Sequence, residues 1–216
     1  MDLWSRARKF IALKGGINEH ILRSTPTESL AIEQVCSDGF ELTRAGRRYW
    51  LGYTSAPTGI APVQALPTTA AQWVIWNADA ARSYVIETLG TIATAGTPGV
   101  AGAVLLAALF TSPASTGSSR TGMSVASCSN SSVASKAIIT VSATITTPAA
   151  PNWVPIAVCS SANTAVLTYA AENRDIRGRI VIPPGQGLGL NVLAAAGTGM
   201  LYMPYGSWSE LETDLE

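Results

Sequence analysis

The sequence predicts an all-β body, an antiparallel sandwich or barrel, behind a charged N-terminal arm that contains a short helix. Three observations carry this. About ten short apolar or alternating runs follow residue 50 at near-regular spacing, with no long amphipathic helix among them. Glycine and proline, 19 and 12 in a chain of 216 residues, punctuate nearly every gap between them. Charge is split unevenly: residues 1–50 hold eight basic and six acidic residues, and residues 51–216 hold only 14 charges in more than three times the length. The break near Trp50 separates an attachment arm, residues 1–50, from a body, residues 51–216.

In the arm, Leu3, Trp4, Ala7, Phe10, Ile11 and Leu13 fall on one helical face, with Arg6, Lys9 and Lys14 elsewhere, and Gly15-Gly16 stops the helix. A basic amphipathic helix of this kind docks on a partner protein, packs on its own domain, or lies on a membrane surface; the last is the weakest reading. Residues 24–28 read as a loop or helix start, and residues 31–35 as a short strand or helical turn. Arg44, Arg47 and Arg48 cluster beside Tyr49 and Trp50. Trp4, Arg6 and Phe10 of the helix and Arg44, Arg47 and Arg48 of this cluster are the candidate partner-binding residues, the arginines meeting acidic groups of a neighbouring subunit or forming a solvated face.

In the body, the runs 50–53, 72–77, 84–94, 100–110, 137–147, 153–158, 164–169, 179–182, 188–193, 201–203 and 205–211 read as strands. Asn77-Ala78-Asp79 is a turn signal. The run 100–110 is continuously apolar and reads as a buried strand, being about half the length a spanning helix needs. In the run 137–147, Ile139, Val141, Ala143 and Ile145 alternate with Thr and Ser, one face buried and one hydroxyl-bearing. Alanine-rich segments leave a parallel sheet with helical crossovers as the competing fold, against which the abundance of Thr, Val and Gly argues. Residues 111–136, of which 13 are Ser or Thr, read as a long exposed loop. The charge cluster from Glu172 to Arg179 reads as a loop with internal Arg–Asp pairing.

Chemistry is sparse. The single histidine, His20, lies in the arm, so a Ser-His-Asp device in the body is improbable and a histidine-rich metal site is excluded. Cys36, Cys128 and Cys159 are widely spaced free thiols, with one bridged pair left open. The body carboxylates Asp79, Glu87, Glu172 and Asp175 show no spacing that converges two of them on a cleft. The glycine-rich run 185–189 lacks a phosphate-loop pattern and reads as a turn. No catalytic residue, metal ligand or cofactor is assigned, and the expectation is a protein that is not an enzyme. Charged residues are 13% of the chain, against a usual share of about 25%, and the net charge is zero. Such a surface suits association with other proteins, and neither nucleic acid nor membrane is expected as a partner.

The run from Arg179 to Leu190, with Pro183-Pro184-Gly185, then Gly197-Thr198-Gly199 and the closing Trp208-Ser209-Glu210-Leu211-Glu212, resembles the closing strands of jelly-roll virion proteins of tailed bacteriophages, the capsid decoration (cement), head-fibre and tail-attached subunits. The likeness covers residues 137–216. It implies a jelly-roll sandwich that associates as a homotrimer, binds the major capsid or other virion proteins, and resides in the virion after synthesis in the host cytoplasm. Its implied role is shell decoration. The alternative is a tail-fibre or tail-attached subunit that recognises host glycans, for which Trp73, Trp76, Trp153 and Trp208 are pocket candidates if they are not sandwich core.

Overall fold

The computed structural model describes residues 21–24, 30–33, 38–53, 59–95, 103–111, 118–119, 123–129, 132–145, 152–159, 172–194 and 200–212. The expected helix with Trp4, Arg6 and Phe10, together with His20, the run 164–169 and Gly197-Thr198-Gly199, lies outside these residues. The chain divides into two compact units, residues 1–45 and 46–216.

In the first unit, β1 (Ile21–Ser24) and β2 (Leu30–Glu33) form an antiparallel pair, Ile21 opposite Glu33. Helix α1 (Asp38–Arg44) follows, where sequence reading placed no helix. Its last turn is held by the Thr43 hydroxyl donating to the Gly39 carbonyl at 2.7 Å and by an Arg44–Glu41 ion pair at 3.0 Å. Gly46, at φ 68°, then takes the left-handed conformation that ends helices and suits glycine.

The second unit is an all-β sandwich. Its strands are β3 (Arg48–Tyr53), β4 (Ala70–Asn77), β5 (Arg82–Ala95), β6 (Ala103–Phe110), β7 (Ser118–Ser119), β8 (Met123–Ser127), β9 (Ala137–Thr144), β10 (Val154–Cys159), β11 (Glu172–Ile182), β12 (Gly187–Ala194) and β13 (Leu201–Glu212). One sheet has the order β10-β6-β12-β4-β9-β7 and the other β11-β5-β13-β3-β8. Among the described residues every ladder between these strands is antiparallel.

The pairings β3·β13, β4·β12, β5·β11 and β6·β10 describe one long hairpin: four strands run out, and four return in reverse order. Successive rungs of that ribbon alternate between the two sheets, which is the jelly-roll arrangement. The segment from β7 to β9 is inserted at the ribbon's bend, where β8 extends one sheet beside β3 and β9 extends the other beside β4.

Between the sheets lies a core led by Trp73, Trp208, Tyr49, Tyr84, Tyr202 and Leu105, each almost wholly buried. Burial of such side chains contributes roughly 1.5–3 kcal/mol apiece. The Trp208 ring sits 6.3 Å from Tyr49 and 6.2 Å from Tyr84, so three adjacent strands are joined through one indole. Side-chain amides finish the β4–β12 ladder: the Gln72 amide N–H donates to Asn191 Oδ1 at 2.8 Å, and the Val192 amide N–H donates to Gln72 Oε1 at 2.6 Å. Asn77 closes β4 as the turn signal predicts, its Oδ1 accepting from the Asp79 amide at 2.9 Å.

Three expectations are corrected. Residues 111–136 are not one long loop, since they contain β7 and β8. In β8, Met123 and Val125 alternate inward to pack on the core, a period that the Ser/Thr-rich composition conceals. The charge cluster 172–179 lies in β11, not in a loop. It occupies an edge strand, where charge guards an open edge, and a register shift between Asp175 and Ile180 with Arg177 (φ 50°) and Gly178 (φ 72°) interrupts the ladder. Its internal pairing is as expected, Arg177 to Asp175 at 2.6 Å. The runs 201–203 and 205–211 are one strand, because Pro204 lies outside the Ser207–Ser209 stretch that pairs with β3. The second compact unit begins at Gly46, and Arg48, Tyr49 and Trp50 of the basic-aromatic cluster lie in β3.

Candidate binding surfaces of the sandwich

Strand alternation leaves each sheet with an outer face. On the sheet containing β3, Tyr49 and Leu51 point into the core, so Arg48, Trp50 and Gly52 point outward. One outer row runs Thr88, Ser207, Trp50, Ala126 across four strands. The next runs Val181, Val85, Ser209, Arg48.

Charge on this face is neutralised from within. Arg48 forms an ion pair with Glu87, whose other oxygen accepts a hydrogen bond from the Ser209 hydroxyl. Arg47 pairs with Glu212 at 2.7 Å. The hydroxyls of Thr88 and Ser207 are 2.8 Å apart. Beside them Trp50, still 50% exposed, stands over an open recess of about 360 Å³ lined also by Leu51, Gly52, Thr88, Tyr205, Gly206 and Ser207.

The six-stranded sheet carries apolar side chains on its outer face as well as its inner one. Its outer rows are Ile138, Trp76, Gly187, Phe110 and Thr140, Val74, Gly189, Ala108. Trp76 and Phe110 close over Gly187 with their rings 5.6 Å apart, and a Cβ at Gly187 would lie 2.3 Å from the Phe110 ring. Ile145 and Trp153 cover Gly189 in the same way. Gly185 alone serves the turn, at φ 69°; the other two glycines of the run 185–189 are strand positions emptied to admit aromatic rings. The result is a second small core outside the sandwich, with Ile138, 46% exposed, at its rim beside Trp76.

A third cluster is buried. Glu210, wholly buried on the inner side of β13 opposite Tyr84, accepts a hydrogen bond from the Ser135 hydroxyl and has Arg82 at 3.8 Å. Burial holds its carboxyl above the usual range. Asp79 is also buried, but the Ala81 amide at 2.9 Å and Lys136 at 3.5 Å hold its carboxyl below that range. Tyr84 and Tyr49 are raised, first by burial and then by Glu210. Two body carboxylates thus influence each other, which spacing did not suggest, yet both are shut from solvent.

Of the predicted partner-binding residues, Arg44 lies in α1 paired with Glu41, while Arg47 and Arg48 frame the outer face of the five-stranded sheet; the structure does not describe Trp4, Arg6 or Phe10. Of the predicted pocket tryptophans, Trp73 and Trp208 are core and Trp76 and Trp153 belong to the outer apolar cluster. The aromatic residues that line a recess are Trp50 and Tyr205. The signal for Trp50 was the short aromatic strand Tyr49-Trp50-Leu51-Gly52-Tyr53, in which every second residue must face out.

Among the described residues no group of three or more His, Cys, Asp or Glu suits a metal ion, and no helix is long and apolar enough to cross a membrane. Burial raises the free thiol of Cys128. No protein-family model, no curated protein and no solved structure matches the chain.

Proposed function

We propose that the chain is a structural subunit of a tailed-bacteriophage virion, acting as a capsid decoration or cement protein. The observation that carries this reading is the apolar rim of the six-stranded sheet, where Ile138 stands 46% exposed beside Trp76. The outer cluster behind it, with Val74, Ala108, Phe110 and Ile145, is already buried within the chain, and an exposed apolar rim suits a subunit that covers it against neighbours. The jelly-roll order, the low charge share and the resemblance of the closing strands support the same reading. On this reading the body self-associates, as a trimer by the resemblance, and the N-terminal arm fastens it to the major capsid protein.

The test is gradient sedimentation of the native source lysate, with peptide mass spectrometry of each fraction. Recovery in a particle band at a copy number near that of the major shell protein is expected. Recovery only in soluble fractions overturns the virion role. Recovery there at a few to a dozen copies moves the chain to a tail or fibre position.

A further inference from the structure

The recess between Trp50 and Tyr205 has a composition that neither the core nor the apolar cluster of the opposite sheet shares. Two aromatic side chains border it, Gly52 adds no side chain to it, and Thr88 and Ser207, their hydroxyls 2.8 Å apart, supply polar groups. No lining residue is charged. The nearest charges, Arg48 and Glu87, are spent on each other, with Ser209 donating to the same carboxylate.

We infer that this recess is a binding site for a neutral saccharide ring. A pyranose has an apolar C–H face and a rim of hydroxyls. The first gains by leaving water on the face of an indole. The second must exchange water for fixed hydroxyl partners, which a Thr–Ser pair able to rotate between donor and acceptor provides. The volume, about 360 Å³, lies at the lower end of small-molecule sites, which span roughly 300–1,000 Å³.

Other occupants fit less well. A nucleotide would stack equally on Trp50 but needs a cation for its phosphate, and Arg48 is already neutralised. A second copy of the chain would need an interface of about 1,200 Å² or more, well beyond the seven residues that line this recess. The site is independent of the virion reading, because its residues lie on the sheet opposite the apolar cluster invoked there.

The full chain, together with Trp50→Ala, Trp50→Phe, Tyr205→Ala and, as an exposed control outside the recess lining, Leu66→Ser, is applied to an array of neutral, sialylated and sulfated glycans. The best neutral glycan is then titrated calorimetrically. Light scattering gives each variant's mass, and thermal melts report folding. We expect binding to neutral glycans that falls more than tenfold in Trp50→Ala and Tyr205→Ala, persists in Trp50→Phe, and is unchanged in Leu66→Ser, with masses equal throughout. The proposal is overturned if no neutral glycan binds, if binding survives Trp50→Ala, or if only anionic glycans are retained and salt releases them. A drop in mass on Trp50→Ala also overturns it and assigns the face to contact between copies. Unchanged incorporation of Trp50→Ala into particles would leave the structural role intact whatever the array shows.

Discussion

Ser135, in the segment that passes from β8 in one sheet to β9 in the other, donates a hydrogen bond to Glu210, a carboxylate wholly buried on the inner side of β13. The same segment is held by Lys136 on Asp79 at 3.5 Å. The inserted strands are therefore tied to the jelly roll through buried polar groups.

That tie has a pH dependence. Burial, the largest cause, raises the folded-state pKa of Glu210 above its unfolded value. Between the two values the folded chain keeps a proton that the unfolded chain has released, so stability falls as pH rises through the folded pKa. Asp79 acts oppositely: its lowered carboxyl contributes stability that is present above its ordinary pKa and is lost as pH falls through the folded value. Melts across pH should show wild type losing stability above the ordinary carboxylate range, with Glu210→Gln flattening that slope. Near neutral pH the Gln variant should match wild type or exceed it by about 1 kcal/mol, some 2–4 °C for a chain of this size. Ser135→Ala should cost about 1–3 kcal/mol, because it leaves a buried acceptor without its donor. A Gln variant with the wild-type slope would place the titration elsewhere.

The β character of the body was legible because Val, Ile, Thr and aromatic residues recur in short runs with Gly and Pro between them. The buried strand 103–110, the alternating strand 137–144 and the Asn77 turn follow from local patterns alone. What a local pattern does not carry is which rung pairs with which. Glu210 opens the run Glu210-Leu211-Glu212-Thr213-Asp214, whose acidic composition gives no sign of burial, yet its ladder position opposite Tyr84 puts it in the core. Arg48 likewise reads as arm until its pairing with Ser209 and Glu87 makes it part of a sheet face. The recess was illegible for the same reason, since Trp50, Thr88 and Ser207 meet only through three non-local strands.

Gly187 and Gly185, two residues apart, should fail for different reasons. Alanine at 187 must share space with the Phe110 ring, 2.3 Å from its Cβ, and Phe110 is wholly buried. Overpacking of this kind costs about 1–3 kcal/mol, and Phe110→Leu should recover part of it, so the double variant should be more stable than the two losses summed. Alanine at 185 meets nothing within 4 Å but must adopt φ 69°, at about 1–2 kcal/mol, with no rescue from Phe110→Leu. Urea unfolding of the three singles and two doubles measures both. Rescue of both glycine variants, or of neither, would contradict the steric account.

Truncation tests the boundary. Removing residues 1–45 should leave a folded body with a cooperative melt, because the second compact unit begins at Gly46. Removing residues 1–50 takes Arg48, Tyr49 and Trp50 out of β3 and with them the Tyr49–Trp208 ring contact and the backbone bond from the Glu210 amide to the Arg47 carbonyl. Loss of a buried aromatic alone costs about 3–5 kcal/mol, a large share of a domain's net stability. Circular dichroism melts of the two proteins should differ sharply. Equal melts would mean that β3 is an ornament on the sheet, and the charge break near Trp50 would then be the better boundary.

The outer apolar face of the six-stranded sheet makes the last prediction. Ile138 lies opposite Trp76 on β4, outside the main core and 46% exposed, so a carboxylate there leaves the sandwich interior untouched. If this face is where the subunit meets its neighbours, Ile138→Asp should reduce self-association by tenfold or more, since burying an unpaired charge in an interface costs several kcal/mol. The melt of the dissociated chain should move by less than that of a core substitution such as Trp73→Ala. Light scattering over a dilution series, paired with the melts, separates the two effects. A variant that keeps its mass at every dilution would move the association surface away from Trp76 and Phe110.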